Sequence, residues 1–379
     1  MFYIAGVVIT FFLAFILLSK NDKTNADKIL FFWLIGIGIH LFLYYIVFSG
    51  QYFKYPQLLG IVLPFPLVHG PFLYLYTASV TNQSKSWKIS SFHFLPVLIC
   101  FISIFNFLQL PNEEKILVFK NQGRGYEAIT FTTLIAVAIS GIAYVIWSLV
   151  LLKKHKKNIL NQFSYSEKIN LIWLRYLIYG IGLIWIFVIY GNDEILFSLV
   201  VLFVIFMGYF GINQVGVFSN ANKNNLSNAT GDFLTADDED NITYDTIKNP
   251  KYVKSGLNQE MAIEIHKKLK EEIEKKELFT NPELTLAELA EMLEIQPNYL
   301  SQVINTFENK HFYDYINSKR IDLFLKLIAL PENKKYTILS LAFECGFNSK
   351  SSFNKHFKKI TNQTPSEYLN SIKEKSSSL

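Results

Sequence analysis

The chain is 379 residues long, carries a formal net charge of +5, and is 51% hydrophobic and 16% aromatic. That length admits two or three domains, and so much apolar side chain excludes a disordered polymer. The two cysteines, Cys100 and Cys345, lie in different halves, which excludes a disulfide framework and any cysteine-based metal spacing.

Up to Phe218 the sequence runs as apolar blocks parted by short polar breaks, at roughly 2–18, 29–48, 58–80, 92–110, 128–152, 169–190 and 195–217. Each approaches the ~20 apolar residues that cross a bilayer core, so residues 1–218 are expected to form a seven-span sensor or anchor in the lipid bilayer. The first block has no basic segment before it and no small-residue cleavage site after it, so it reads as a retained helix. Lysines 20, 23, 28, 85, 88, 153, 154, 156, 157 and 168 fall after the first, third and fifth blocks, against Lys54, Lys115, Lys120 and Arg124 in the other loops. The positive-inside rule then puts the N-terminus outside and the C-terminal end in the cytoplasm, as a multi-pass protein of the inner membrane. Tyr44, Tyr45, Trp87, Trp147, Trp173 and Tyr190 cluster at block ends as an interfacial belt.

Polar groups inside these blocks point to function by default. His69, beside Gly70-Pro71, and Arg175 mark a candidate pocket for a small polar or anionic ligand. The competing reading makes His69 an interhelical hydrogen bond and lets Arg175 snorkel to the cytoplasmic surface. Pro64, Pro66 and Pro71 are expected to break or kink the third block. Ser140 has no histidine base on a partner span and reads as packing, and nothing else suggests an enzyme. No cofactor is expected.

Residues 219–256 are rich in Asn, Ser, Thr and acid, including Asp237-Asp-Glu-Asp240, and read as a flexible acidic linker. The acidic run has two readings, a solvated spacer or a DNA mimic that competes for a basic face.

Helical periodicity resumes at Leu257, where Met261, Ile265, Leu269 and Ile273 form a stripe, so 257–379 is read as one domain. One pattern then occurs twice. In the first copy Thr285 and Glu288 form a capping box, Leu286, Leu289, Ala290 and Leu293 face inward, and Pro297 opens a second helix anchored by Leu300 and Ile304. Its outer face offers Gln296, Asn298, Tyr299, Ser301, Gln302 and Asn305, donors suited to base edges and phosphates. A helix over 311–330 follows, with Phe312, Tyr315, Ile316, Ile321, Phe324 and Leu327 as its buried stripe. In the second copy Thr337 caps, Ile338, Leu341, Ala342 and Cys345 pack inward, Gly346 turns, and Phe353 with Phe357 anchor the outer helix. Asn348, Ser349, Lys350, Ser351, Ser352, Asn354, Lys355, Lys358 and Lys359 are expected on its exposed face. From 257 to 295 acids outnumber bases, whereas 296 onward is net basic, which puts the positive face on the recognition-helix side. The spacing predicts two helix-turn-helix modules joined by a rigid helix, and thus a sequence-specific binder of double-stranded DNA.

Residues 257 to about 373 resemble the DNA-binding domain of the AraC/XylS family of bacterial transcription regulators. The matching marks are Arg320-Ile321, Ile338 with Leu341-Ala342, Gly346-Phe347, Phe353, Phe357 and Thr364-Pro365. The resemblance implies an all-α domain of seven helices that binds promoter DNA, usually as an activator contacting RNA polymerase. Three positions depart from the family pattern: Phe324 replaces a small residue, Glu294 the first turn's glycine, and Asn362 a glycine before the last helix. The family's usual soluble sugar-binding partner domain gives way to the membrane module, whose 63–76 segment resembles membrane-linked relatives in Bacteroidetes-type bacteria. The whole is expected to be all-α: a seven-helix transmembrane bundle plus a cytoplasmic domain with two helix-turn-helix modules on a linker helix. Dimerisation stays open, because two modules in one chain already span two groove faces. Two other readings remain, release of the domain by proteolysis in the linker, and a receptor or transporter with a vestigial DNA-binding domain.

Overall fold

A computed structural model describes residues 2–165, 171–190, 193–212 and 257–377. The linker expected at 219–256 and its acidic run lie outside the described residues. Among the described residues every named element is helical, and the one extended pairing is an isolated antiparallel bridge between Phe163 and Thr285. The chain forms two compact units, one of residues 1–154 with 171–232, the other of 155–170 with 233–379. Among the described residues, 155–165 group with the C-terminal unit.

The first unit holds α1 (Phe2–Ser19), α2 (Asn25–Phe48), α3 (Pro66–Val80), α4 (Trp87–Ser91), α5 (Leu95–Ser103), α6 (Phe105–Leu108), α7 (Asn112–Lys120), most of α8 (Glu127–Gln162), α9 (Ile172–Tyr190) and α10 (Asp193–Ile212). Helix α2 starts with a capping box in which the Thr24 side chain meets the Asp27 N–H and Asp27 accepts from the Thr24 N–H. Asp27 also pairs with Lys20 at 2.7 Å. Leu30, Trp33 and Leu34 of α2, Tyr76 of α3, Leu174, Leu177 and Ile178 of α9, and Met207 of α10 form one buried core.

Two of the expected spans are shorter or more broken than the hydropathy suggested. The third is helical only from Pro66, and 3-10 turns at Gln51–Phe53 and Pro56–Leu58 precede it. Pro66 sits in the first turn, where its missing N–H costs nothing, and Pro71 is buried inside the helix. The fourth splits into α5 and α6 at Ile104. Among the described residues two helices, α2 and α8, are long and apolar enough to cross a membrane, with mean hydropathies of 2.1 and 2.4.

The second unit contains α11 (Gln259–Lys276), α12 (Leu286–Met292), α13 (Pro297–Phe307), α14 (Phe312–Ala329), α15 (Ile338–Glu344), α16 (Lys350–Thr361) and α17 (Pro365–Ser377). Asn258 caps α11 through the Met261 N–H. Ala262, Ile265, Leu269 and Ile273 form its buried stripe, whereas Met261, expected there, is 43% exposed. A strict four-residue repeat drifts off one face of a 3.6-residue helix, so Ala262 takes the inner position.

Helix α14 joins two cores. Its first half gives Phe312, Tyr315 and Ile316 to a cluster with α11, α12 and α13. Its second half gives Ile321 and Phe324 to a cluster with α15 and α16, and Leu323 packs against both. Leu327 is only half-buried. Phe324 is fully buried, its ring 4.7 Å from Phe353 and 5.7 Å from Phe357, so an aromatic cluster fills this helix contact.

Candidate nucleic-acid interface

The two repeats make the same turn with different residues. In the first, the Leu293 N–H donates to Leu289 O, the Glu294 N–H to Glu291 O, and the Ile295 N–H to Ala290 O. In the second, Cys345 donates to Leu341 O, Gly346 to Phe343 O, and Phe347 to Ala342 O. Each set closes its helix in a Schellman-type cap that needs one residue at positive φ. Glu294 supplies it at φ 58° and Gly346 at φ 96°. Glycine is required only in the second turn, where a Cβ on Gly346 would stand 2.6 Å from Thr280 O and 2.8 Å from Phe279 O. Asn362, in the third departing position, caps α16 at φ 58°.

Beyond the turn the copies differ in length by one residue. Gln296 is the N-cap of α13, and Ser349, one place later in the second copy, is the N-cap of α16. Leu300 thus corresponds to Phe353 and Ile304 to Phe357, and all four are buried. The outward positions pair as Asn298 with Ser351, Ser301 with Asn354, Gln302 with Lys355, and Asn305 with Lys358. Asn298, Asn305, Ser351, Asn354, Lys355 and Lys358 are exposed, as are Gln296, Asn348 and Lys350, while Ser301 and Gln302 are half-buried.

Ser352 does not belong to this face. It is 4% exposed, its hydroxyl lies 3.4 Å from the Tyr313 hydroxyl, and its N–H donates to the Ser349 side chain. Its counterpart in the first copy, Tyr299, is itself half-buried, so this position lies beside the core anchors in both modules. Ser349 is spent largely on capping.

The two outer faces differ in charge. That of α13 carries amides and hydroxyls. The α16 face carries Lys350, Lys355, Lys358 and Lys359, which line an open groove of about 890 Å³ with Thr337, Ile338 and Asn354 and with Thr364, Pro365 and Ser366 at the start of α17. Lys359 is paired with Asp314 at 2.8 Å, and Lys355 lies over the Tyr313 ring at 5.6 Å. The groove offers a positive surface of the kind that suits a polyanion, whereas the outer face of α13 offers neutral donors.

Sequence reasoning missed the polar groups that hold the modules in place. Arg320 is 1% exposed, and Asn317 is fully buried. The Arg320 Nε–H donates to Phe279 O at 2.7 Å and an Nη2–H to Asn281 O at 2.7 Å, which fixes the turn against which Gly346 packs. Arg320 was visible only as a family mark, since its acceptors are remote carbonyls. His356, one position from Lys355, is also buried, edge-on to Tyr313 at 4.9 Å. Burial lowers its pKa to about 4 against the upward pull of Asp314, with Lys355, Lys359 and Arg320 adding to the fall, so the ring is neutral at pH 7. Burial likewise pushes the Cys345 thiol up to about 12, which makes it a packing residue.

In the first unit His69 makes a hydrogen bond between helices, the second of the two readings its sequence position allowed. His69 Nε2 lies 2.8 Å from His40 Nδ1, and both rings line a cavity with Trp33, Tyr44, Ile181 and Trp185. Arg175 is not part of this lining. It precedes Ile181 by six residues on α9, about 240° around the helix, and so faces elsewhere. Among the described residues no three His, Cys, Asp or Glu side chains are grouped to hold a metal ion.

Residues 289–371, from within α12 to within α17, match the family model described as a helix-turn-helix domain. The chain thus carries such a domain in its C-terminal part. No curated protein and no solved structure matches the chain.

Proposed function

We propose that this chain is a membrane-embedded, one-component transcription regulator of the AraC/XylS type, whose two helix-turn-helix modules bind promoter DNA sequence-specifically. The observation that carries the reading is the pair of equivalent turns hung on the single helix α14, each presenting a polar outer helix. The modules divide the work. Asn298, Ser301, Gln302 and Asn305 of α13 and Asn354 of α16 read base edges, while Lys350, Lys355 and Lys358 grip phosphates. The domain faces the cytoplasm, where RNA polymerase is its partner in activation. One chain suffices for two groove faces, and a homodimer would double them.

Membrane embedding is supported by α8. Phe131, Ile135, Ile139, Ile142, Ile146 and Val150 stand exposed three or four residues apart, Phe131 at 64% and Ile139 at 63%. They form one apolar stripe of about 29 Å, close to the ~30 Å of a hydrocarbon core, and it ends just before Lys153 and Lys154. A stripe of this size is not left bare in water.

The His40–His69 cavity is the proposed sensing site. Two neutral imidazoles sharing one N–H···N bond always keep one outer N–H and one bare outer nitrogen. Among the described residues those atoms, His40 Nε2 and His69 Nδ1, are buried without hydrogen-bond partners. A small, uncharged, mainly apolar ligand with a hydroxyl matches either arrangement, because a hydroxyl both donates and accepts. The missing arginine removes the case for an anion.

The test is DNA binding by the full chain in lipid nanodiscs across a salt series, with promoter fragments recovered from cells. The expected result is sequence-dependent binding whose log affinity falls linearly with log salt, by about −0.9 for each phosphate gripped. Binding that is absent, or indifferent to sequence, refutes the reading.

A further inference from the structure

At the centre of the second unit a buried polar seam is completed by residues far away in sequence. The Arg320 guanidinium has five N–H donors, and each has an acceptor. Nε and one Nη2 hydrogen go to Phe279 O and Asn281 O, and one Nη1 hydrogen goes to Asn317 Oδ1 at 3.2 Å. The remaining two go to one residue, Ser164: Nη1 to its carbonyl at 3.3 Å and Nη2 to its hydroxyl at 3.1 Å. The Ser164 carbonyl also accepts from Asn317 Nδ2 at 3.0 Å, and the Ser164 N–H donates to Leu284 O at 3.2 Å. Ser164 is fully buried, and its neighbour Phe163, also buried, forms the antiparallel bridge with Thr285, the N-cap of α12.

Every polar group of Ser164 is therefore spent on the helix-turn-helix unit, and on a particular place in it. Leu284 and Thr285 begin the first module, Asn317 and Arg320 lie midway along the linker helix, and Phe279 and Asn281 belong to the turn against which Gly346 of the second module packs. We propose that Phe163–Tyr165 is a docking strap that this surface is built to receive, and that its docked state is the DNA-binding state. The strap follows directly on α8, whose last eight residues already belong to the second unit. Displacement of that helix end is the means of withdrawing the strap. Withdrawal leaves two guanidinium hydrogens and one amide hydrogen without their acceptors, a cost that favours the docked state. The linker helix then keeps its apolar packing but loses this polar tie to the start of α12, so the separation of the two recognition helices is held less tightly. A fragment starting within 219–256 lacks the strap altogether, so proteolytic release would yield an incomplete domain.

The contact stands on geometry alone, and only its consequence for DNA rests on the function proposed above. The experiment uses the full chain in nanodiscs, as wild type, as Ser164→Ala, and as the double variant Phe163→Ser/Ser164→Pro, which removes the buried ring and the N–H to Leu284. Amide hydrogen exchange is followed over 278–285, 312–324 and 350–361, together with promoter affinity. The expected result for the double variant is faster exchange in the first two segments, little change in 350–361, and affinity lower by about tenfold or more, because fixed linkage of two binding modules is worth at least that factor. A peptide of residues 155–170 added in trans should restore both. Unchanged exchange at 278–285 and 312–324 overturns the docking, and local opening at wild-type affinity overturns its control of DNA binding. If exchange rises everywhere, Ser164→Ala decides, with a rise confined to those two segments expected and its absence refuting the strap. If the wild-type chain binds no DNA, the functional reading fails while the exchange result still decides the contact.

Discussion

Equivalent positions in the two turns should respond to mutation with opposite signs. Gly346→Ala places a Cβ 2.6 Å from Thr280 O and 2.8 Å from Phe279 O, and both are main-chain atoms of one turn, with Phe279 O already held by Arg320. The left-handed backbone at φ 96° costs an alanine about 1–2 kcal/mol, and forcing extra volume against a fixed neighbour adds about 1–3 kcal/mol. A loss of roughly 2–5 kcal/mol is expected, a large share of the ~5–15 kcal/mol that holds a domain together. Glu294 already bears the left-handed strain at φ 58° and is exposed, so Glu294→Gly should stabilise the first module by about 1 kcal/mol. Native-state hydrogen exchange on the full chain separates the two, since α15 and α16 amides report one module and α12 and α13 amides the other. At tenfold per 1.4 kcal/mol, Gly346→Ala should accelerate the slowest α15–α16 amides by roughly 30- to 4,000-fold. An effect within about threefold for Gly346→Ala, or destabilisation by Glu294→Gly, would refute the account of the turns.

Three further outcomes are expected. Lys358→Gln should weaken DNA binding similarly for all sequences and make the salt slope shallower by about one unit, whereas a sequence-selective loss would make Lys358 a base reader. Gln302→Ala or Asn354→Ala should instead change the preferred sequence, with about 1–3 kcal/mol lost at one base pair, and unchanged preference in a binding-site selection would remove that residue from readout. His356 has a folded pKa near 4, below its ordinary value of 6.5, so its contribution is intact above about pH 6.5 and is lost as pH falls toward 4. Between pH 7 and pH 5 the second module should lose about 2 kcal/mol, measured by urea unfolding followed at α16, and His356→Phe should flatten that dependence.

Local rules made much of the C-terminal domain legible. Thr285 with Glu288, Thr337, and Pro297 in its helix's first turn all act as their positions imply, because capping needs only neighbours in sequence. The outer-helix phase was less secure. Ser352 and Tyr299 hold equivalent places beside the core anchors Phe353 and Leu300, and the polar side chain of Ser352 disguised its burial against the Tyr313 hydroxyl. The ties of Arg320 were illegible for a different reason. Four of its hydrogen bonds go to residues 39 to 156 positions away, and three of those are to main-chain carbonyls, which no side-chain pattern announces. His40 likewise could not be paired with His69 from spacing alone, because the pairing depends on how α2 crosses α3. Hydropathy located the apolar blocks and the prolines marked the break at Pro66, but no residue pattern announced the one at Ile104.

On the proposed function, two modules fixed on α14 read adjacent turns of one DNA face. Hydroxyl-radical footprinting of the full chain on a promoter recovered from cells tests it most directly. The expected result is two protected patches on one face of the duplex, about 10 base pairs apart, with Gly346→Ala erasing one of them. A single patch that persists at saturating protein, or two patches on opposite faces, would contradict the account.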